Sequence, residues 1–198
     1  YTVCTLKSEI IVCNKRLTKK KSHLILISRL DEPWFQNHKK VSSFSPSFLY
    51  VGRLSKEKGI FDFISMLQRT KINAKLEIAG YSDNYSCKNL DIKFLGYIAD
   101  PIKLIEAYDK CNITILPSYT EGYPYVVDES LARKRPVIVF EDISYVAEGK
   151  KGVFVSKRNQ ESLEKTIENI LKNYKNIQDE MSKNLLPTKK SMLKQISD

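Results

Sequence analysis

Two stretches of the chain carry residues whose types and spacing suit a particular chemistry. The first is Val51-Gly52-Arg53-Leu54-Ser55-Lys56-Glu57-Lys58-Gly59. A Gly at the end of an apolar run lets a ligand approach the backbone, and Arg53 and Lys58 set two cations before a helix start, which itself favours anions. That set suits a diphosphate. The second follows Leu116, where Glu121 and Gly122 fall in a loop, Pro124 suits a first helical turn and Glu129 lies inside the helix. The unpaired amides of Tyr125 and Val126 would point at the same crevice. Two carboxylates flanking an anion-favouring helix start make sense as acceptors for sugar hydroxyls. Taken singly, each residue has a plainer reading: Arg53 and Lys58 as surface charges, Glu121 as a helix N-terminal charge, Glu129 as an exposed helix residue. The sequence has no Gly-x-x-x-x-Gly-Lys-Ser/Thr and no Gly-x-Gly-x-x-Gly, so the P-loop and dinucleotide fingerprints are absent.

The elements that must position these residues alternate. Phe48 to Gly52, Leu76 to Gly80, Ile92 to Gly96, Asn112 to Pro117, Pro136 to Phe140 and Gly152 to Val155 read as strands. Between them, Ile60, Phe63, Ile64 and Leu67 share a helix face, as do Ile102, Leu104, Ile105 and Tyr108. Tyr125 to Arg133 reads as a helix, and Leu163, Ile167, Ile170 and Leu171 mark a long one running with a break to about Met181. Strands apolar on both faces alternating with helices predict an α/β, doubly wound parallel sheet of about six strands, Rossmann-like. Ligands of such sheets bind beyond the strands' carboxyl ends. Ile10 to Cys13 and Leu24 to Ile27 are further strand candidates in a less regular stretch.

The chain has 198 residues, 42% hydrophobic and 28% charged, which excludes a disordered or collagenous protein. Its longest apolar runs, Leu24 to Ile27 and Pro136 to Phe140, are far short of the roughly 20 residues of a membrane-spanning helix. The formal net charge is +10, with +6 of it in residues 1–40, around Lys15-Arg16 and Lys19-Lys20-Lys21. Such a patch suits nucleic acid, anionic lipid or a protein partner, or simply a solvated face. Aromatic residues do not interleave with the lysines, which argues against nucleic acid. Cys4, Cys13, Cys87 and Cys111 form no Cys-x-x-Cys pair, so neither zinc nor a disulfide framework is expected, as in a reducing cytosol. The opening without Met or signal pattern reads as a fragment. We divide it into residues 1–22, the end of a missing N-terminal domain or a leader; 23–47, connector and first strand; 48–183, the nucleotide-sugar-binding Rossmann-like domain; and 184–198, a C-terminal tail that from Leu186 reads as a detached helix or as disordered.

The run from Val51 to Gly59, Glu121 followed after seven residues by Glu129, and Arg135-Pro136-Val137-Ile138 together resemble the C-terminal domain of the retaining GT-B glycosyltransferases of family 4, the glycosyl transferases group 1. The likeness spans roughly residues 24–175. It implies one GT-B half that binds a nucleotide diphosphate sugar for transfer to a glycan or lipid-linked acceptor with retention, as a hexosyltransferase of polysaccharide biosynthesis. By resemblance, Arg53 and Lys58 neutralise the diphosphate beside Gly52, Glu129 holds the ribose, Glu121 holds the transferred sugar as the catalytic residue, Tyr97 in the Gly96-Tyr97-Ile98 loop flanks the base, and the Tyr125 and Val126 amides meet the distal phosphate. No cofactor or metal is implied, in line with the lack of an Asp-x-Asp. The implied partners are the missing N-terminal domain and the acceptor, with no nucleic acid, and the implied place is cytoplasmic with room for peripheral contact at the inner face of a membrane. Neither His23 nor His38 sits in the context of the family's catalytic-site His. Three features depart from the pattern: Tyr81-Ser82-Asp83 after Gly80, Arg133-Lys134-Arg135 in place of a Gly before the Pro-Val pair, and Asp142 to Glu148 without Gly. The alternative is a catalytically silent nucleotide-binding or scaffolding module.

Overall fold

The computed structural model describes residues 2–4, 22–24, 27–40, 45–81 and 90–197. Two three-residue strands, β1 (Thr2–Cys4) and β2 (Ser22–Leu24), pair in parallel. The main sheet comprises β3 (Ser47–Val51), β4 (Lys75–Ala79), β5 (Asp91–Gly96), β6 (Ile113–Leu116), β7 (Val137–Phe140) and β8 (Val153–Ser156). All its pairings are parallel, in the order β5-β4-β3-β6-β7-β8. Among the described residues the α-helices are α1 (Ile60–Arg69), α2 (Pro101–Lys110), α3 (Tyr125–Ala132), α4 (Gln160–Lys172), α5 (Tyr174–Met181) and α6 (Lys189–Ser197).

The period of two explains the layers. In β3, Phe48 and Tyr50 pack into the cluster holding Ile60, Phe63, Ile64, Leu163 and Ile167 of α1 and α4, while Leu49 packs with Ile105 and Tyr108 of α2. Both faces are therefore covered, and β6 and β7 are buried throughout. The helix starts are specified locally. Asp100 caps α2 by accepting from the Ile102 amide at 2.9 Å, with Pro101 at the first position, and Asn159 caps α4 by accepting from the Ser162 amide at 2.9 Å. The break expected before Met181 falls at Asn173, between α4 and α5.

One expectation is corrected below. Of the strand expected at Leu24 to Ile27, Leu24 belongs to β2, residues 25 and 26 lie outside the described residues, and the chain is irregular from Ile27 to Leu30. There the Ser28 hydroxyl contacts the Pro187 carbonyl (2.7 Å) and the Leu30 amide (3.0 Å), and Leu30 and Trp34 are buried in the core, Trp34 edge-on to Tyr108. The tail does form a helix, α6, but the segment leading into it is not detached. Leu186 packs against the core, and the Lys189 amide donates to the Leu30 carbonyl at 2.7 Å as α6 begins. The candidate strand Ile10 to Cys13 and the lysine run 19–21 lie outside the described residues.

Residues 33–39 are laced to the sheet domain by two fully buried arginines. Arg133 binds Asp109 through both carboxylate oxygens (3.0 and 2.8 Å) and reaches the carbonyls of Trp34, Gln36 and Asn37. Arg135 reaches the carbonyls of Tyr108 and Lys39. Between them Lys134 stands at φ 55°, the left-handed backbone that a Gly takes freely.

Candidate functional site

Strand order reverses between β3 and β6, so the helices that follow them, α1 and α3, pack on opposite faces of the sheet and leave a crevice at the carboxyl edge. Both chemistry-bearing stretches end there. Gly80, after β4, has no room for a side chain, because a Cβ would fall 1.9 Å from the Gly52 carbonyl oxygen. Gly59 combines φ 62° with a second close approach, its would-be Cβ falling 2.1 Å from the Pro117 carbonyl oxygen. The loops after β3 and β6 are thus packed backbone to backbone, and the Tyr119 amide donates to the Glu57 carbonyl at 2.9 Å. Arg158 secures the β6 loop from the far side. It donates to the Pro117 and Ser118 carbonyls (3.0 and 3.3 Å), pairs with Asp142 (2.7 Å) and stacks on Tyr119 and Phe140.

Glu121 sits at the centre of this junction. Its Oε1 accepts from Lys58 Nζ at 2.7 Å and from Ser118 Oγ at 2.6 Å, and its backbone carbonyl accepts from the Tyr145 hydroxyl. Tyr145 belongs to the 3-10 turn Glu141–Ala147, which occupies the place of the Gly-poor departure noted above. A cation from one loop and a carboxylate from the other are therefore held in contact, each already oriented.

Glu129, on the second turn of α3, has a side chain only 2% exposed. Its Oε2 accepts from the Tyr108 hydroxyl at 2.9 Å, and its Oε1 pairs with Arg29 Nη2 at 2.9 Å. Burial pushes its pKa up, Asp128 adds to that, and Arg29 and the Tyr108 hydrogen bond pull it down. The Arg29 guanidinium also lies 4.4 Å over the ring of Tyr125, the first residue of α3. Glu129 opens on a cleft of about 280 Å³ bounded by Arg29, Gly52, Arg53, Gly80, Tyr97 and Leu104. At its mouth the exposed rings of Tyr81 and Tyr97 are stacked, 5.0 Å apart and 7° from parallel. The neighbouring carboxylate, Asp128, faces elsewhere, taking the Tyr123 hydroxyl at 2.6 Å and Lys150 at 2.9 Å.

The structure thus brings Gly52, Arg53, Tyr97 and Glu129 to one cleft and joins Lys58 to Glu121 beside it. Arg53 is 75% exposed and pairs loosely with Glu57 at 3.5 Å. Tyr125 and Val126 occupy the first two positions of α3, whose start has no side-chain cap, so their amides have no acceptor within the helix. The plain reading of Glu129 as an exposed helix residue is overturned by its burial under Arg29 and Tyr108. Arg29, Tyr108 and Arg158 escaped the sequence reading; only the Tyr108 position on a helix stripe gave a signal, and that signal was for core. His38 is a connector residue whose Nε2 lies 2.8 Å from the Ala132 carbonyl oxygen, and burial lowers its pKa. Among the described residues no cluster of His, Cys, Asp or Glu could hold a metal ion, and no helix is long and apolar enough to cross a membrane.

A six-stranded parallel sheet with charged residues gathered at its switch point is a Rossmann-like domain. The chain belongs to the glycosyl transferases group 1, whose family model matches residues 31–185. It is 26% identical over 140 residues to the N,N'-diacetylbacillosaminyl-diphospho-undecaprenol alpha-1,3-N-acetylgalactosaminyltransferase of Campylobacter jejuni, covering 66% of this chain and 36% of that one. It is 27% identical over 138 residues to the capsular polysaccharide biosynthesis glycosyltransferase CapM of Staphylococcus aureus, covering 62% of this chain and again 36% of the relative. The matched region therefore spans about a third of these relatives. In fold it is similar to sucrose-phosphate synthase from Thermosynechococcus elongatus (TM-score 0.72, 19% identity, 98% of this chain and 56% of that one). It is likewise similar to Anabaena HepE in complex with UDP and glucose (TM-score 0.69, 16% identity, 98% of this chain and 61% of that one).

Proposed function

We propose that the chain is the donor-binding half of a hexosyltransferase, holding a nucleotide diphosphate sugar at the β3/β6 edge for transfer, with retention, to a glycan or lipid-linked acceptor. The observation that carries this reading is Glu129, a buried carboxylate facing a largely apolar cleft. A nucleoside diphosphate needs a flat surface for its base, an acceptor for its ribose and cations for its phosphates. Tyr97, Glu129, and Arg53 with Lys58 offer these along one edge, with the Tyr125 and Val126 amides at the distal phosphate. Departure of the diphosphate builds negative charge on its oxygens, and cations fixed in advance lower that barrier without reorganising. No metal is required in this scheme. In this reading Lys58, paired with Glu121 in the structure, turns to the phosphate while Glu121 accepts from the hydroxyls of the transferred sugar.

Transfer also needs an acceptor held at the anomeric carbon and water kept away, which a donor site on an open sheet edge does not supply. A separate domain provides that half in this reading, and the 198 residues bind donor without transferring it. The named activities of the relatives, on a diphospho-undecaprenol and in capsular polysaccharide biosynthesis, support a lipid-linked or glycan acceptor, met at the cytoplasmic face of a membrane. Calorimetry with UDP, GDP and ADP, each with and without its sugar, tests the reading. One nucleotide binds, and Glu129→Ala weakens it by about 1.5–3 kcal/mol, the range for hydrogen bonds to a charged group. Binding of none of them, or binding indifferent to Glu129→Ala, overturns it.

A further inference from the structure

We propose that Arg29 is the positioning residue of the ribose subsite: by clamping one oxygen of Glu129 it keeps the carboxylate anionic and turned so that its remaining lone pairs meet a vicinal diol. The inference rests on the nucleotide reading above and adds to it a residue outside both motif stretches.

The argument begins with acceptor capacity. A carboxylate has about four lone-pair sites, two on each oxygen. Arg29 takes one on Oε1 and Tyr108 takes one on Oε2, each at 2.9 Å. One site is left on each oxygen, and a ribose presents two neighbouring hydroxyls as donors. A protonated Glu129 would have a donor on one oxygen and could no longer accept from both hydroxyls. The groups that face the carboxylate are Arg29 from the connector and Tyr108 from α2, and the charge of Asp128, which is turned to Tyr123 and Lys150, acts on it from the same helix; burial and Asp128 favour the neutral acid, and Arg29 is the main opposing charge.

The clamp is also held in place. The guanidinium lies over the Tyr125 ring, a contact that fixes its plane while leaving the nitrogens free to pair. On either side of Arg29 the chain is anchored, the Ser28 hydroxyl donating to the Pro187 carbonyl and the Leu30 carbonyl accepting from the Lys189 amide, each at 2.7 Å. Arg29 is nevertheless 60% exposed, and exposed ion pairs often contribute little. Two other roles are therefore open to test: an inert surface pair, or a plug that ribose must displace.

The experiment titrates the Glu129 carboxyl by NMR of carboxyl-labelled protein in the wild type, Arg29→Met and Arg29→Lys, and measures binding of UDP, GDP and ADP and of their 2',3'-dideoxy forms from pH 5 to 8. The Glu129 midpoint rises by about one pH unit in Arg29→Met, the lower end of the effect of an opposite charge, and falls part of the way back in Arg29→Lys. One unit is a tenfold change in protonation, so nucleotide affinity of Arg29→Met drops by up to about tenfold at the acid end and recovers toward pH 8. The dideoxy forms are indifferent to the substitution. An unmoved Glu129 midpoint would make Arg29 an inert pair, and tighter nucleotide binding by Arg29→Met would make it a plug; either overturns the proposal. A midpoint that moves while the wild type binds no nucleotide overturns the nucleotide reading and the ribose role with it.

Discussion

Lys58 and Glu121, 63 residues apart in sequence, form a 2.7 Å ion pair that bridges the loops after β3 and β6. The pair joins the cation assigned to the diphosphate with the carboxylate assigned to the transferred sugar, so the two roles are separable by substitution. In the full-length enzyme Glu121→Gln lowers kcat while leaving nucleoside diphosphate affinity near its starting value. Lys58→Met lowers both, by about 1.5–3 kcal/mol each. Steady-state kinetics with calorimetry of the bare diphosphate check this; equal affinity losses in the two variants would contradict the division of roles.

Gly59→Ala strikes the same junction through the backbone. A left-handed position costs a residue with a Cβ about 1–2 kcal/mol, and here the Cβ also meets the Pro117 carbonyl oxygen at 2.1 Å. The β3 and β6 loops must part, so the melting temperature falls and nucleotide affinity falls with it. Thermal unfolding with and without nucleotide measures both.

Glu129 makes stability and binding oppose each other. Because burial raises its pKa, the folded state holds the proton more tightly than the unfolded state, and stability is lost as pH rises from the ordinary glutamate value through the raised one. Glu129→Gln removes that loss. Its melting temperature exceeds the wild type's at neutral pH, the gap narrows as pH falls from the raised value to the ordinary glutamate value and stays level below it, and ribose-dependent affinity is lost. A gap that stays constant with pH would rule out the carboxylate as its source.

The buried Arg133 is the opposite case. Arg133→Met leaves Asp109 buried without its bidentate partner, a loss of roughly 3–5 kcal/mol in urea unfolding. At the next position Lys134→Gly relieves the left-handed backbone at φ 55° and gains about 0.5–1 kcal/mol after the added chain entropy of Gly. Together they separate what the Arg133-Lys134-Arg135 run contributes through side chains from what it costs through backbone.

The sheet was legible because burial on both faces leaves uninterrupted apolar runs, and each of the six strands lies within about a residue of where Phe48 to Gly52 and its counterparts placed it. Glu121 and Glu129 were legible because a loop and a helix start can be read locally around Pro124. Arg133 and Arg135 were not, since a run of three cations looks like a solvated face until Asp109, 24 residues earlier on another helix, is known to lie against it. Arg29 was hidden for the same reason: it sits in an irregular connector, and its partner is a hundred residues further on. Pairing across a fold is information about two positions at once, and a periodic pattern describes one element at a time. The tail was misread because its few apolar residues gave no sign of where Leu186 would pack.

The contact of Ser28 and Leu30 with Pro187 and Lys189 gives the domain a neck, where an early and a late segment of the chain are held together. Mechanical load entering through residue 27 can leave through residue 189 without crossing the hydrogen-bond ladder of the sheet. Arg29 stands between those two anchors and also lines the cleft, so strain on this contact would reach the binding edge through a single side chain.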